Sequence, residues 1–230
     1  IPLTAARWPN DGFVALNLVE CEQDDYKNKP ITLGFEDAND RTSLWSEAGI
    51  SDLFIGTRAS FSYQTNKVAS LDKADKKLTT AGGAQYKPDI KSALIHFFNI
   101  LEEIDMPGEY YLDRAENLLY YYPVSQKENP ELMIASADTP MIRLNNTEYL
   151  TFQGINFQMN RGRFVDASSI RNVTIDNCVF AHGGTNAITW KAAKDCALTN
   201  SHIYDMAAGG IFVTNSGNRK TLEPANVTIR

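Results

Sequence analysis

Two carboxylates in the C-terminal half of the sequence, Asp166 and Asp205, could act as a pair on a glycosidic bond. Glycoside hydrolysis needs two carboxyl groups that flank the scissile bond, about 5–5.5 Å apart for retention of configuration and about 6.5–9.5 Å apart for inversion. The candidates for holding sugar hydroxyls or stacking on a sugar ring are Arg163, His182, Asn186, Phe212, Asn218 and Arg219. Such a site forms only if the fold places these residues on one surface.

The segment that contains these residues repeats at a spacing of 23 residues. Four columns of similar residues show the repeat, and they are Phe152, Ile175 and Leu198; Gly154, Asn177 and Asn200; Ile155, Cys178 and Ser201; and Phe157, Phe180 and Ile203. A fixed period of this size is typical of stacked coils, in which each coil buries its apolar residues against the coils above and below.

The column of Gly154, Asn177 and Asn200 predicts a sharp bend, because Gly and Asn adopt the left-handed backbone region at little cost. Apolar and polar residues alternate on both sides of it, as in half-buried strands. With a third short strand later in each repeat, the pattern predicts an all-β fold with a right-handed parallel β-helix of three strands and about 23 residues per coil. A leucine-rich repeat would need its Leu pattern, and a two-layer sandwich would not repeat in sequence.

The third strand of each coil is expected to carry an outward column of Arg143, Asp166, Thr189 and Phe212, spaced about 4.8 Å per coil. Loops on either side of this strand bring the other candidates near it. Those entering the strand carry Arg161, Arg163, His182, Asn186 and Asp205, and those leaving it carry Lys191, Asn215, Asn218 and Arg219.

Each candidate also has a structural interpretation that stays open at this point. Asp166 lies one coil from Arg143 and could form a surface ion pair with it. Asp205 precedes a pair of glycines, where a carboxylate often accepts backbone N–H bonds in a turn, and His182 stands beside another such pair. Trp190 could stack on a sugar ring, but its inward column favours a role in the core.

The first part of the sequence is organised differently. Residues 1 to about 135 carry no copy of the period, so we expect a mainly antiparallel, β-rich subdomain that caps or is inserted before the coils. In it, residues 110–112 and 118–122 flank a polar turn and predict a hairpin. The coils occupy residues 136–230, with about eight additional residues in the loop of 214–226. Because a new coil starts where the sequence ends, we expect the coils to continue in a longer protein.

Composition restricts the classes of partner. The formal net charge of the 230 residues is −6, which offers no basic face for nucleic acid. The sequence has no apolar run of about 18 residues, so no membrane span is predicted. Three cysteines without paired spacing favour neither a disulfide framework nor a zinc site, and three histidines do not suggest a triad. We therefore predict neither a metal site nor a cofactor, and oligomeric state cannot be read from these features.

Several segments resemble a known family. They are Ala-Arg-Trp-Pro-Asn at 6–10, Asp-Met-Pro-Gly-Glu-Tyr-Tyr-Leu-Asp-Arg at 105–114, Leu-Tyr-Tyr-Tyr-Pro at 119–123 and Ser-Gly-Asn-Arg-Lys-Thr-Leu-Glu-Pro at 216–224. Across nearly the whole chain, this sequence resembles bacterial β-helix proteins of glycoside hydrolase family 141. The resemblance implies an exported protein, located outside the cell, in the periplasm or on the cell surface, that acts on plant cell-wall glycans, as the fucosidases and xylanases of that family do. Relatives have Gly-Gly-Asp-Arg where this chain has Ser-Gly-Asn-Arg, so position 218 lacks their carboxylate.

Three functional hypotheses follow for a polysaccharide or oligosaccharide partner. The first is a glycoside hydrolase that uses Asp166 and Asp205 as paired carboxylates. The second is a polysaccharide lyase, which would remove a proton beside a uronate carboxylate with a Lys or Arg base such as Lys191, often with Ca²⁺ held by several acidic residues. The third is a noncatalytic glycan-binding module, which the Asn at position 218 favours.

Overall fold

The computed structural model describes residues 2–59, 62–125 and 131–230, which divide into two compact units, Ile1–Glu128 and Asn129–Arg230. The strands of the first unit pair mainly in antiparallel fashion, whereas the strand pairs of the second unit are parallel. The predicted fold class, a parallel β-helix of about 23 residues per coil together with an antiparallel β subdomain, is confirmed.

The described strands of the first unit are β1 (Thr4–Ala5), β2 (Arg7–Trp8), β3 (Val14–Cys21), β4 (Ile31–Phe35), β5 (Phe54–Ala59), β6 (Ser62–Asp72), β7 (Lys77–Thr80), β8 (Leu94–Phe98), β9 (Glu109–Asp113) and β10 (Leu118–Tyr121). Short 3-10 helices cover Glu22–Asp24, Arg41–Leu44 and Leu101–Glu103. Strands β8, β3, β4, β7, β6 and β5 follow one another, and β5 pairs back onto β8. The sheet therefore closes into an antiparallel barrel, which leaves these strands few open edges.

The interior of this barrel is aromatic. Phe97 lies at its centre, with ring centroids 4.9 Å from Phe35 and 5.4 Å from Trp45, and all three side chains are buried. Strands β9 and β10 form the predicted hairpin, which pairs with β1 in a separate small sheet.

The strands of the second unit are β11 (Ile142–Asn145), β12 (Glu148–Gln153), β13 (Asn156–Asn160), β14 (Val165–Asp176), β15 (Val179–Gly183), β16 (Asn186–Lys194), β17 (Ala197–Thr199), β18 (His202–Met206), β19 (Gly209–Thr214) and β20 (Thr228–Ile229). Three successive coils consist of β13 and β14, of β15 to β17, and of β18 to β20. Strands β13, β15 and β18 form one sheet, and the other strands form a second sheet that bends around the solenoid.

The predicted register of the coils is confirmed. Phe152 pairs with Ile175 and Ile175 with Leu198, at the spacing of the repeat. Leu198 then pairs with Ile229, which confirms that the loop of the third coil contains the additional residues. Identical register in every coil stacks like side chains, and the rings of Phe157 and Phe180 lie 4.8 Å apart and nearly parallel.

The predicted corner is also confirmed. Gly154, Asn177 and Asn200 have φ values of 68°, 51° and 50°. Polar side chains connect the coils at this corner, since Asn200 Nδ2 donates to Asp176 Oδ1 at 2.8 Å and Gln153 Nε2 donates to Asp176 Oδ2 at 3.0 Å. Donors from Thr199, Asn200 and Gln153 lower the pKa of the exposed Asp176 carboxyl.

Each coil has left-handed corners in addition to the one predicted from Gly154, Asn177 and Asn200. Three further columns have positive φ, and they are Asn146, Ser169, Ala192 and Asn215; Tyr149, Asn172, Asp195 and Asn226; and Met159, His182 and Asp205. Several of these residue types disfavour the left-handed region. Stacking with the neighbouring coils therefore determines the backbone here, rather than the preference of the individual residue.

The side chain of Trp190 lies in the core of the solenoid. It is fully buried, and its residue pairs with Ala167 on one side and Val213 on the other. The small Ala167 side chain leaves room for the indole. The structure therefore supports the core role of Trp190 rather than a role in stacking on a ligand.

Candidate functional site

The predicted column on the third strand exists as an outward face of the solenoid. Arg143 pairs with Asp166, Asp166 with Thr189, and Thr189 with Phe212, on strands β11, β14, β16 and β19. The residues on either side of each column member point into the core, so this column faces outward. We call these four residues the strand face. Phe212 is 52% exposed, which offers an aromatic ring at one end of a polar surface.

The carboxylate of Asp166 is partly exposed on this face. Its ion-pair partner among the described residues is Arg163, with Nη1 and Oδ2 3.9 Å apart, and not Arg143 on the preceding coil. At this length, an exposed pair contributes only about 0–1 kcal/mol to stability. Asp166 is therefore accessible to a ligand, and Arg163 lies close enough to contact the same ligand.

Asp205 lies beside His182 at the corner that enters the strand face. The distance from His182 Nδ1 to Asp205 Oδ2 is 3.4 Å, and the ring of Tyr204 meets that of His182 edge-on, with centroids 5.7 Å apart. Both His182 and Asp205 have positive φ, so the backbone forms a left-handed corner here. Their side chains nevertheless form one exposed cluster with Tyr204.

The two predicted carboxylates are separated along the solenoid axis. Asp166 lies on β14, two strands before β19, whereas Asp205 lies on β18, which leads into β19. Two strand spacings amount to roughly 10 Å. This spacing is the axial component alone, because Asp205 also lies seven residues before Phe212, the strand-face residue of its own coil.

The remaining predicted residues lie at the margins of the strand face. Asn186 begins β16 and pairs with Gly209 at the entering corner. On the leaving side, Asn218 Oδ1 accepts the backbone N–H groups of Lys220 and Thr221 at 2.9 and 3.2 Å, so this oxygen is engaged in a turn. Arg219 is an exposed residue of the same loop.

A groove that the sequence did not indicate opens at the leaving corner of the strand face. It has a volume of about 430 Å³. Its lining residues are Asn146, Glu148, Ser169, Ile170, Arg171, Ala192, Ala193, Lys194, Asn215, Gly217, Asn218, Glu223, Pro224 and Ala225. We call it the corner groove. The loop of residues 214–226, which contains the additional residues and which we call the inserted loop, forms one wall of the groove. The length of this loop was the one feature of the sequence that could have suggested such a wall.

His96 belongs to the first unit, on strand β8. It is only 8% exposed, its Nε2 lies 2.9 Å from the hydroxyl of Tyr63, and Phe13 meets it edge-on at 5.3 Å. Burial lowers the pKa of His96 to about 4, and the nearby charge of Arg7 adds to this effect. His96 is therefore neutral at pH 7.

This burial predicts a loss of stability in acid. Between pH 6.5 and 4, His96 is protonated in the unfolded chain but not in the folded state. The free energy of unfolding therefore falls as the pH falls through this window. Between pH 7 and 4.5 we expect a loss of about 2–3 kcal/mol. Urea unfolding of the first unit, followed by the fluorescence of Trp8 and Trp45 in a Trp190→Phe background, measures it.

The test variant is His96→Gln. The control is His202→Gln, because His202 is exposed. The first should remove most of the pH dependence above pH 4.5, and the second should leave it unchanged. An identical pH dependence in the parent protein and His96→Gln would contradict the assignment.

Within residues 2–59, 62–125 and 131–230, no group of three or more His, Cys, Asp or Glu side chains could hold a metal ion. The three cysteines are free thiols, of which Cys178 and Cys196 are buried. No helix in the described part of the chain is both long and apolar enough to cross a membrane.

Comparisons with known proteins agree with this architecture. The family model for a right handed beta helix region matches residues 140–223. A solved structure titled glycoside hydrolase superposes with a TM-score of 0.58 and 11% sequence identity, over 85% of this chain and 44% of that one. The likeness at this identity shows the fold, and the chain spans less than half the length of that structure. No curated protein sequence matches the chain.

Proposed function

We propose that this right-handed β-helix chain is part of an exported bacterial carbohydrate-active protein, a glycoside hydrolase that holds plant cell-wall polysaccharide along the strand face. The observation that carries the proposal is the alignment of Asp166 with Phe212 on one outward face, two strands apart. A carboxylate and an exposed ring on one surface suit a sugar chain, which offers hydroxyl groups to one and an apolar ring face to the other. The fold shared with a structure titled glycoside hydrolase supports the same class.

In this proposal Asp166 and Asp205 are the two carboxylates of the reaction. In an inverting reaction, one carboxylic acid would protonate the leaving oxygen and the other carboxylate would activate a water molecule. His182, with Nδ1 at 3.4 Å from Asp205 Oδ2, would contact the same sugar unit. Arg163 would hold sugar hydroxyls beside Asp166, and Phe212 would stack on a ring.

The structure also gives a specific argument for a noncatalytic glycan-binding module. Asp166 has an ion-pair partner in Arg163, the carboxylate of Asp205 contacts the ring of His182, and the oxygen of Asn218 is engaged in its own turn. A polysaccharide lyase is the third candidate, with the exposed Lys191 as its base.

Products distinguish these functions. The protein is incubated with neutral and acidic plant cell-wall oligosaccharides. New reducing ends without ultraviolet absorbance support hydrolysis, an unsaturated product supports lysis, and binding without turnover supports the third candidate. If the protein neither cleaves nor binds any of the oligosaccharides, the carbohydrate proposal itself is contradicted.

A binding measurement tests the strand face directly. We expect Phe212→Ala to weaken oligosaccharide binding about 3–10-fold, since an aromatic contact contributes about 0.5–1.5 kcal/mol beyond its buried area. Isothermal titration calorimetry measures the change. The control is Leu222→Ala, which removes an apolar side chain of 84% exposure from the inserted loop. Equal affinity of Phe212→Ala and Leu222→Ala would remove Phe212 from the binding surface.

A further inference from the structure

The corner groove owes its depth to the residues of one left-handed corner. Asn146, Ser169, Ala192 and Asn215 occupy this corner in four successive coils, with φ between 49° and 55°. Small side chains at the two central positions leave a depression, and an amide side chain stands at each end. Because the coils are in register, these groups lie in a row along the solenoid axis, about 4.8 Å apart.

The inserted loop forms a wall that is well anchored. Asn218 and Glu223 exchange two backbone hydrogen bonds of 2.9 and 3.1 Å, and Asp195 N–H donates to the carbonyl of Ala225 at 2.8 Å. The hydroxyl of Ser216 accepts the N–H of Ala193 at 3.0 Å. The bonds of Ala193 and Asp195 attach both ends of the loop to the second coil, so the groove exists before a ligand arrives.

The charges in the groove cancel. Glu148, Arg171 and Lys194 occupy one register position on successive strands, and Glu223 of the loop completes the row. Lys194 Nζ lies 2.6 Å from Glu223 Oε1, whereas Arg171 Nε is 3.9 Å from Glu148 Oε1. The latter distance is too long for a hydrogen bond. Arg171 lines the groove, and its guanidinium donors make no hydrogen bond within the described residues.

We propose that the corner groove is a second binding site of this chain, for an uncharged sugar unit such as a branch or a terminal residue of a glycan. Sugar hydroxyls both donate and accept hydrogen bonds. The groove offers donors on Arg171 and Lys194 and acceptors on Glu148 and Glu223. The side-chain amides of its Asn residues can both donate and accept. An acidic sugar would gain no net attraction from this balanced set. The inference rests on the proposed function only in taking the ligand to be a glycan.

Affinity measurements on two variants of the groove test the inference. Arg171→Gln removes the unbonded guanidinium, and Asn215→Ala removes one amide at a position where Ala192 of the preceding coil already has the same backbone conformation. Lys220→Gln is the control, because it removes a charge from the same loop outside the groove lining. The probes are xylohexaose, cellohexaose and a panel of branched neutral cell-wall oligosaccharides, with hexagalacturonate as the acidic comparison. Calorimetry gives the dissociation constants, and thermal midpoints verify folding.

We expect Arg171→Gln and Asn215→Ala each to weaken the binding of the best neutral probe about 5–10-fold. Their thermal midpoints should equal that of the parent protein. Lys220→Gln should bind the probe with the affinity of the parent protein. If both groove variants keep full affinity while Phe212→Ala loses it, the second site is overturned and the function proposed for the strand face stands. Tighter binding of hexagalacturonate than of every neutral probe would overturn the assignment to an uncharged sugar. A protein that binds none of the probes would overturn both proposals.

Discussion

Replacing Asp166 by asparagine is expected to abolish glycan cleavage while leaving the protein folded. Removing a group that transfers a proton in the transition state lowers a rate by about 10²–10⁴-fold, which would bring a typical hydrolase close to background. The loss of stability should be small, because the side chain is one-third exposed and its ion pair with Arg163 is 3.9 Å long. Release of reducing ends gives the rate, and the thermal midpoint should move by no more than a few degrees.

The control for this variant is Asp138→Asn, which replaces an exposed carboxylate of the same unit. It should retain the rate of the parent protein. Asp205→Asn tests the second carboxylate and should lower the rate by a similar factor if the two act as a pair. Full activity of Asp166→Asn would exclude Asp166 from the reaction, whatever the outcome for Asp205.

Replacing Glu103 by alanine is expected to destabilise the first unit by about 3–5 kcal/mol, the cost of breaking a buried ion pair from one side. Its side chain is only 1% exposed. Its carboxylate accepts two bonds from Arg41, at 2.8 and 3.0 Å, and one from the indole N–H of Trp45 at 2.6 Å. Alanine would leave the buried indole without its acceptor and the guanidinium without its main partner. Denaturant unfolding monitored by Trp8 and Trp45 fluorescence, in a Trp190→Phe background, measures the loss.

Two further variants separate packing from charge in this cluster. Glu103→Gln preserves the shape of the side chain and an acceptor for Trp45, so its loss should be smaller than that of the alanine variant. Glu116→Ala lies in the exposed turn of the β9–β10 hairpin and should change stability by no more than about 0.5 kcal/mol. A loss of less than about 1 kcal/mol in Glu103→Ala would show that the cluster contributes little to folding.

The interaction partners of the candidate site residues illustrate the limits of prediction from sequence. The repeat correctly aligned Asp166 with Arg143 on adjacent strands, yet the ion pair of Asp166 is with Arg163. Register gives the position of each backbone segment, whereas a long Arg side chain can reach several acceptors from one position. In the same way, the alignment of His182 with Asp205 could be read from the spacing, but their contact at 3.4 Å could not.

The left-handed corners show a similar division. Gly154, Asn177 and Asn200 could be recognised because their residue types favour that backbone region. Tyr149 and Met159 could not, since their types disfavour it, although both have positive φ. The residues on either side of each pair with the next coil, and such pairing is a property of the stack rather than of the residue.

The sequence by itself determined the solenoid, its period and the outward column of the strand face. It could do so because parallel strands in identical register require the same class of residue at the same position of every coil, so the structure is repeated in the sequence. Only the tertiary structure decided the closure of the barrel through β5 and β8, the partners of the charged side chains and the existence of the corner groove. These depend on contacts between segments that share no repeat, and each contact depends on side-chain conformations that residue types alone do not specify.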